Sequence, residues 1–280
     1  MPRMLRSRSA VVAMVISGLL LLPSVIKAIY VTPHAVFIDH RVRSGEVTLG
    51  NAGETPEEVT VELRFGFPDT DSAGTPFIRF VDDPGPEFPS AAGWIRPFPR
   101  RIRLEPGTQQ VVRLLATPPD DLPDGEYWTR MVVTSRGASM PIVTADTAVR
   151  AGVQLEIRLI TAITYRKGEV HTSVAISELT GAVSGDSLLV WLGATRGGNA
   201  AYLGTATFDL VGNDGSTVRE WAIPIAVYYP MLRRFAFPME GVPRGDHLLR
   251  VTLSASRTDL LEEQVLSAPT VVDSLDILVP

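Results

Sequence analysis

From residue 44 onward the chain is written in short alternating runs of apolar and polar residues. Val59, Val61, Leu63, Phe65 and Phe67 alternate with Thr60, Glu62, Arg64 and Gly66. This period of two predicts half-buried β-strands. The same pattern predicts strands over Ser44–Leu49, Arg101–Leu104, Val111–Leu115, Tyr127–Ser135 and Gly152–Tyr165. After Arg166-Lys167-Gly168 it resumes over His171–Ile176, Leu188–Ala194, Tyr202–Leu210, Val218–Pro224, Leu248–Ala255 and Thr270–Leu278. No long amphipathic helix interrupts the strands. Leu260–Leu266 has the length for one or two helical turns, or for a strand edge. The turn signals between runs (Pro106-Gly107, Gly212-Asn213-Asp214-Gly215) are those of antiparallel connections. The expected fold is therefore all-β, two Ig-like antiparallel β-sandwiches in tandem, over residues 29–166 and 167–280.

The N-terminus breaks this grammar. Arg3, Arg6 and Arg8 precede the apolar stretch Ala10–Ile26, with Pro23 near its end and Ala28 beyond it. That order predicts a signal peptide over residues 1–28, cleaved after Ala28. An uncleaved anchor is the alternative, although 17 residues is the short limit for a span and Pro23 breaks the last turn. Cleavage removes four cations and no acid, leaving 22 Lys+Arg against 31 Asp+Glu, a net charge of −9. Such a balance is the opposite of a nucleic-acid footprint. The chain has no Cys, so an exported protein of this sequence is held without disulfides or thiolate metal sites.

A weak repeat links the two blocks. Leu122-Pro123-Asp124-Gly125-Glu126-Tyr127 precedes one predicted strand, and Val242-Pro243-Arg244-Gly245-Asp246-His247 precedes another. In Ig-like sandwiches a Tyr at such a corner bonds back to the backbone, and Tyr127 is the candidate here.

Four stretches of the first block carry a family resemblance. They are Val31-Thr32-Pro33-His34-Ala35-Val36-Phe37, Arg43 to Asn51, Pro99 to Arg113 with its Leu104-Glu105-Pro106-Gly107 turn, and the Leu122–Tyr127 corner. Together they resemble the N-terminal domain of the PapD-like periplasmic pilus-assembly chaperones, over roughly residues 29–166. The second block matches only as another Ig-like sandwich.

The resemblance implies a non-enzymatic protein of the periplasm. Its implied partners are subunits with an incomplete β-sandwich, and an outer-membrane usher. It implies strand donation, in which the chaperone adds an edge strand to a subunit that lacks one. Val153, Leu155, Ile157 and Leu159 form the matching run of alternating aliphatics, after a long connection holding Met140, Ile142 and Val143. Four aliphatics so spaced serve equally well as the inner face of a strand packed only on its own core. In the family a subunit's C-terminal carboxylate is anchored by an Arg and a Lys. By the resemblance these positions fall on His34 and Ile160, so the cations are missing. Arg158, on the same strand face as Ile160, and His34 are the candidate replacements.

Other motifs explain themselves as structure. Asp69-Thr70-Asp71-Ser72-Ala73-Gly74 begins like a calcium loop but has Ala73 and Phe80 where ligands are needed. Gly193–Gly198 lacks the Lys-Ser/Thr of a phosphate loop and reads as a hairpin tip. Arg96, Arg100, Arg101 and Arg103 form a local basic cluster, read as a solvated face. No nucleophile motif, paired carboxylate or His spacing suggests catalysis, and no cofactor or metal is called for. A secreted two-sandwich structural or binding module remains the other reading.

Overall fold

The computed structural model describes residues 29–136 and 156–280, with the backbone of Met140–Pro141 and Gly152–Val153 between them. The expected signal segment 1–28 and Leu155 lie outside the described residues.

The first sandwich contains β1 (Ile29–Thr32), β2 (Ala35–Asp39), β3 (Ser44–Asn51), β4 (Glu57–Arg64) and β5 (Gly66–Thr70). It continues with β6 (Pro76–Phe80), β7 (Ile95–Phe98), β8 (Arg101–Leu104), β9 (Gln109–Ala116) and β10 (Gly125–Arg136). The short ladder β11 (Met140–Pro141) with β12 (Gly152–Val153) precedes β13 (Glu156–Lys167). One sheet runs β1-β3-β9-β7, the facing sheet β2-β13-β10-β4-β8. The first strand is thus split between the two sheets, and β2 joins β13 in parallel while the other pairings are antiparallel. Alternation places Val47, Val112, Leu114, Met131 and Val133 in the core with 0% exposure. Each such burial contributes about 1.5–3 kcal/mol.

The second sandwich contains β14 (Thr172–Ser184), β15 (Ser187–Gly198), β16 (Tyr202–Gly212), β17 (Thr217–Val227), β18 (Met231–Pro238), β19 (Gly245–Ser254) and β20 (Val271–Val279). Its sheets are β14-β15-β18 and β17-β16-β19-β20, closed over Phe208, Phe235 and Phe237. The segment read as strand edge or helix forms a single 3-10 turn, Glu262–Gln264. The Gly193–Gly198 stretch is not a hairpin tip. It lies within β15, paired to β14 from Glu178 to Thr172, and the chain turns after it at Asn199-Ala200. Glycine was misleading there because it marks close approach to β14: a Cβ on Gly197 would sit 2.5 Å from the Ser173 hydroxyl.

Two features seen only in three dimensions join the sandwiches. The β5–β6 hairpin reaches across to the edge of β18, where Gly74 O accepts the Arg234 amide at 2.9 Å. Gly74 has φ +76°, and a Cβ there would lie 2.7 Å from the Arg234 nitrogen, so glycine is required. The calcium-like loop is this hairpin's tip, with Asp71 Oδ1 accepting the amides of Ala73 and Thr75. These amides hold the Asp71 carboxyl below its ordinary value. The second feature is an aromatic cluster, in which Phe65, Phe67 and Trp128 of the first sandwich pack with Tyr228 of the second. Phe67 also lies 4.4 Å from Tyr229, ring to ring.

Candidate functional site

The site is the N-terminal half of β13 together with the cleft between the sandwiches. Strand β13 pairs with β10 along its whole length, from Glu156↔Arg136 to Lys167↔Gly125. On its other side β2 covers only Ala162–Arg166. Residues Glu156–Thr161 therefore present an edge with no strand neighbour among the described residues. The direction of the backbone groups follows from one bond, Ala162 N–H to His34 O at 3.1 Å. Amides two residues apart point to the same side of a strand. The N–H groups of Ile160 and Arg158 thus face the open edge, while those of Ile157, Leu159 and Thr161 face β10.

Side chains alternate across the sheet in the other sense. Ile157 and Leu159 are half-buried and pack against the first core. Ile160 is 42% exposed. Arg158 is bound along its own strand, its Nη2 2.7 Å from Glu156 Oε1, while Arg136 Nε holds Glu156 Oε2 at 2.9 Å. Both guanidinium groups keep the Glu156 carboxyl below its ordinary value. The backbone of Val153 pairs with Met140. Its side chain and Leu155 lie outside the described residues.

Around the corner from this edge is a cleft of about 110 Å³. Ala35, Phe37, Ala162, Thr164 and Arg130 line one wall, Leu203, Ala226, Tyr228 and Arg257 the other, and His34 stands at its rim. Ala162, not Ile160, is the β13 residue that stands beside His34 in the cleft, and Arg158 does not line it. The cations that do are Arg257 on the opposite wall and Arg130 on β10, 4% exposed. Arg130 is the buried one. Its Nε donates to Gly66 O at 3.0 Å and its guanidinium lies 5.1 Å from the Tyr228 ring. Its Nη2 is buried without a hydrogen-bond partner. A buried donor without an acceptor is costly.

The opposite wall supplies Arg257, which holds Asp259 with two bonds of 2.7 and 2.6 Å. These bonds bring the Asp259 carboxyl down to about 2. His34 Nε2 lies 3.1 Å from the same carboxylate and so bridges the two sandwiches.

The angle between the sandwiches is held by a buried acid. Glu126 Oε1 accepts Arg166 Nε at 2.8 Å, and Oε2 accepts Trp128 Nε1 at 3.0 Å and the Ala201 amide at 2.9 Å. Arg166 Nη2 donates to Gln264 O at 2.6 Å. The corner Tyr127 bonds Pro123 O at 2.9 Å, as the sequence led us to expect.

Sequence reasoning did not find Arg130, Arg257 or Asp259. The signal for Arg130 was present, a lone cation inside Tyr127-Trp128-Thr129-Arg130-Met131-Val132-Val133. For Arg257 and Asp259 there was none, because only the return of the chain after β19 brings them to the cleft.

No family model matches the sequence, and no curated protein matches it. Among solved structures the chain is similar to the YadV chaperone, at 16% identity and TM-score 0.41, covering 88% of this chain and 99% of that one. It is similar to the Pseudomonas aeruginosa CupB2 chaperone at 13% identity and TM-score 0.40, covering 88% and 98%. A chain of the Salmonella enterica SafA pilin–SafB chaperone complex matches at 15% identity and TM-score 0.39, covering 89% and 97%.

Proposed function

We propose that this protein is a periplasmic chaperone that caps secreted or pilus-type subunits by lending them the open edge of β13. The single observation that carries the reading is the uncovered Glu156–Thr161 side of β13, beyond the last bond made by β2. An edge of this kind is a template for another chain's strand. A subunit lacking one strand supplies both the unpaired edge and the apolar groove that match it. Val153, Leu155, Ile157 and Leu159 are the aliphatic series of the donor segment. The cleft receives the subunit's terminal carboxylate on Arg130, with His34 at the rim, in place of the Arg158 and His34 pair expected from the sequence. In this account residues 1–28 direct export, an outer-membrane usher takes the subunit onward, and no catalytic step is involved.

One observation favours the alternative of a secreted structural module. Ile157 and Leu159 are half-buried in their own domain, so they serve the first core at least in part.

The test is co-production with a β-sandwich subunit deprived of one edge strand, beside the same subunit with that strand restored in cis. Strand lending predicts a 1:1 complex with the first and none with the second. Equal behaviour of the two would contradict it.

A further inference from the structure

Two residues that line the cleft, His34 and Arg257, share one carboxylate, Asp259. Asp259 Oδ2 meets His34 Nε2 at 3.1 Å and Arg257 Nη2 at 2.6 Å, while Oδ1 accepts Arg257 Nε at 2.7 Å. Arg257 is further fixed by its Nη1 donating to Ile225 O at 3.2 Å. The donors at the mouth are thus already satisfied. The inner donor, Arg130 Nη2, is not.

We propose that Asp259 is a built-in competitor for the cleft, an internal carboxylate that holds His34 until a client's terminal carboxylate displaces it. This rests on the reading of the cleft as a carboxylate pocket given above. Three features support an exchange of partners. The His34–Asp259 contact is exposed, with side chains 58% and 36% accessible, and exposed pairs are weak. The bond that an incoming carboxylate gains at Arg130 is buried and charge-assisted, and such bonds are strong. Asp259 can keep both of its bonds to Arg257, so release asks only that His34 part from Oδ2. Because His34 belongs to the first sandwich and Asp259 to the second, the contact also ties the two sides of the cleft together.

The experiment uses Asp259→Asn and, as a second variant, Asp259→Ser, with circular dichroism and thermal unfolding to establish that each is folded. The probe is a synthetic nine-residue peptide of alternating Ile and Thr, made once with a free C-terminal carboxylate and once as the amide. Binding is read by calorimetry. The expected result is that the wild type prefers the carboxylate form, that both variants bind it about tenfold more tightly still, and that the amide form is unaffected. Equal carboxylate affinity in wild type and variants, with the preference over the amide kept, would overturn the competitor and leave the pocket standing. No preference for the carboxylate in any of the three proteins would overturn the pocket and the competitor together.

Discussion

The amide of Ala162 donates to the carbonyl of His34 at 3.1 Å, and no bond from β2 to β13 lies further toward the N-terminus of β13. Below it the strand keeps its ladder to β10 but has nothing on its other side among the described residues. That one bond also decides which amides are available, those of Ile160 and Arg158.

Proline separates this edge from the ladder. Replacing Ile160 with Pro removes an outward N–H and leaves the bonds to β10 in place, which is the position where an edge strand tolerates proline. We expect Ile160→Pro to fold and to lose the subunit complex by about 10- to 100-fold, since an acceptor is left unsatisfied in a buried interface. Leu159→Pro, whose N–H faces β10, should instead be destabilised. Urea unfolding and size-exclusion chromatography of the two variants distinguish these outcomes.

Arg130 is the residue of the proposed pocket whose replacement the fold should tolerate best. Its Nη2 is unpartnered, so an apolar residue of similar length costs the fold little. Arg130→Met should change unfolding free energy by less than about 2 kcal/mol, the loss of one charged hydrogen bond to Gly66. The same variant should bind the carboxylate and amide forms of a strand peptide equally. Calorimetry with both forms checks this.

Glu126 behaves in the opposite way. It is 2% exposed and accepts from Arg166, Trp128 and Ala201. Glu126→Ala strands the Arg166 guanidinium and should cost about 3–5 kcal/mol. It should also loosen the contact between the two sandwiches, seen as a broader unfolding transition by calorimetry.

The Asp259 contacts set a pH limit. The folded carboxyl titrates at about 2, below the ordinary 3.8. A depressed acid stabilises the fold above its unfolded value, and that contribution is lost as pH falls toward the folded value. The stability these contacts add, chiefly those from Arg257, should therefore be lost as pH falls from about 3.8 to about 2, while the His34 contact itself should persist until the folded carboxyl protonates near 2. A carboxyl NMR titration follows it directly, and Asp259→Asn should remove that part of the acid transition.

The all-β fold was legible because period-two alternation is local. Val111–Leu115 shows it, and the strand there runs Gln109–Ala116. Beyond Phe67 the β5–β6 hairpin was not read as strand, and neither was β18. The hairpin tip answers to the neighbouring sandwich, as Gly74 does to Arg234, and such a contact leaves no periodic trace. Strand β18 does alternate, with Phe235 and Phe237 in its own core, but its start inverts the polarity, Leu232 being exposed and Arg233 half-buried. The Tyr127 corner was legible because its partner, Pro123, is four residues away. The cleft was not, because Arg130 and Arg257 come to line it only through the packing of two domains. The resemblance placed the family's Lys position on Ile160, which stands on the open strand, while Ala162 and Thr164 are the β13 residues that line the cleft.

Amide hydrogen exchange along β13, with and without the strand-deprived subunit, tests the central claim most directly. In the free protein the N–H groups of Arg158 and Ile160 should exchange quickly while those of Ile157, Leu159 and Thr161 are protected by β10. On complex formation the two outward amides should become protected as well, in alternation with neighbours that were protected from the start. A complex that forms while Arg158 and Ile160 continue to exchange as in the free protein would contradict strand lending by β13.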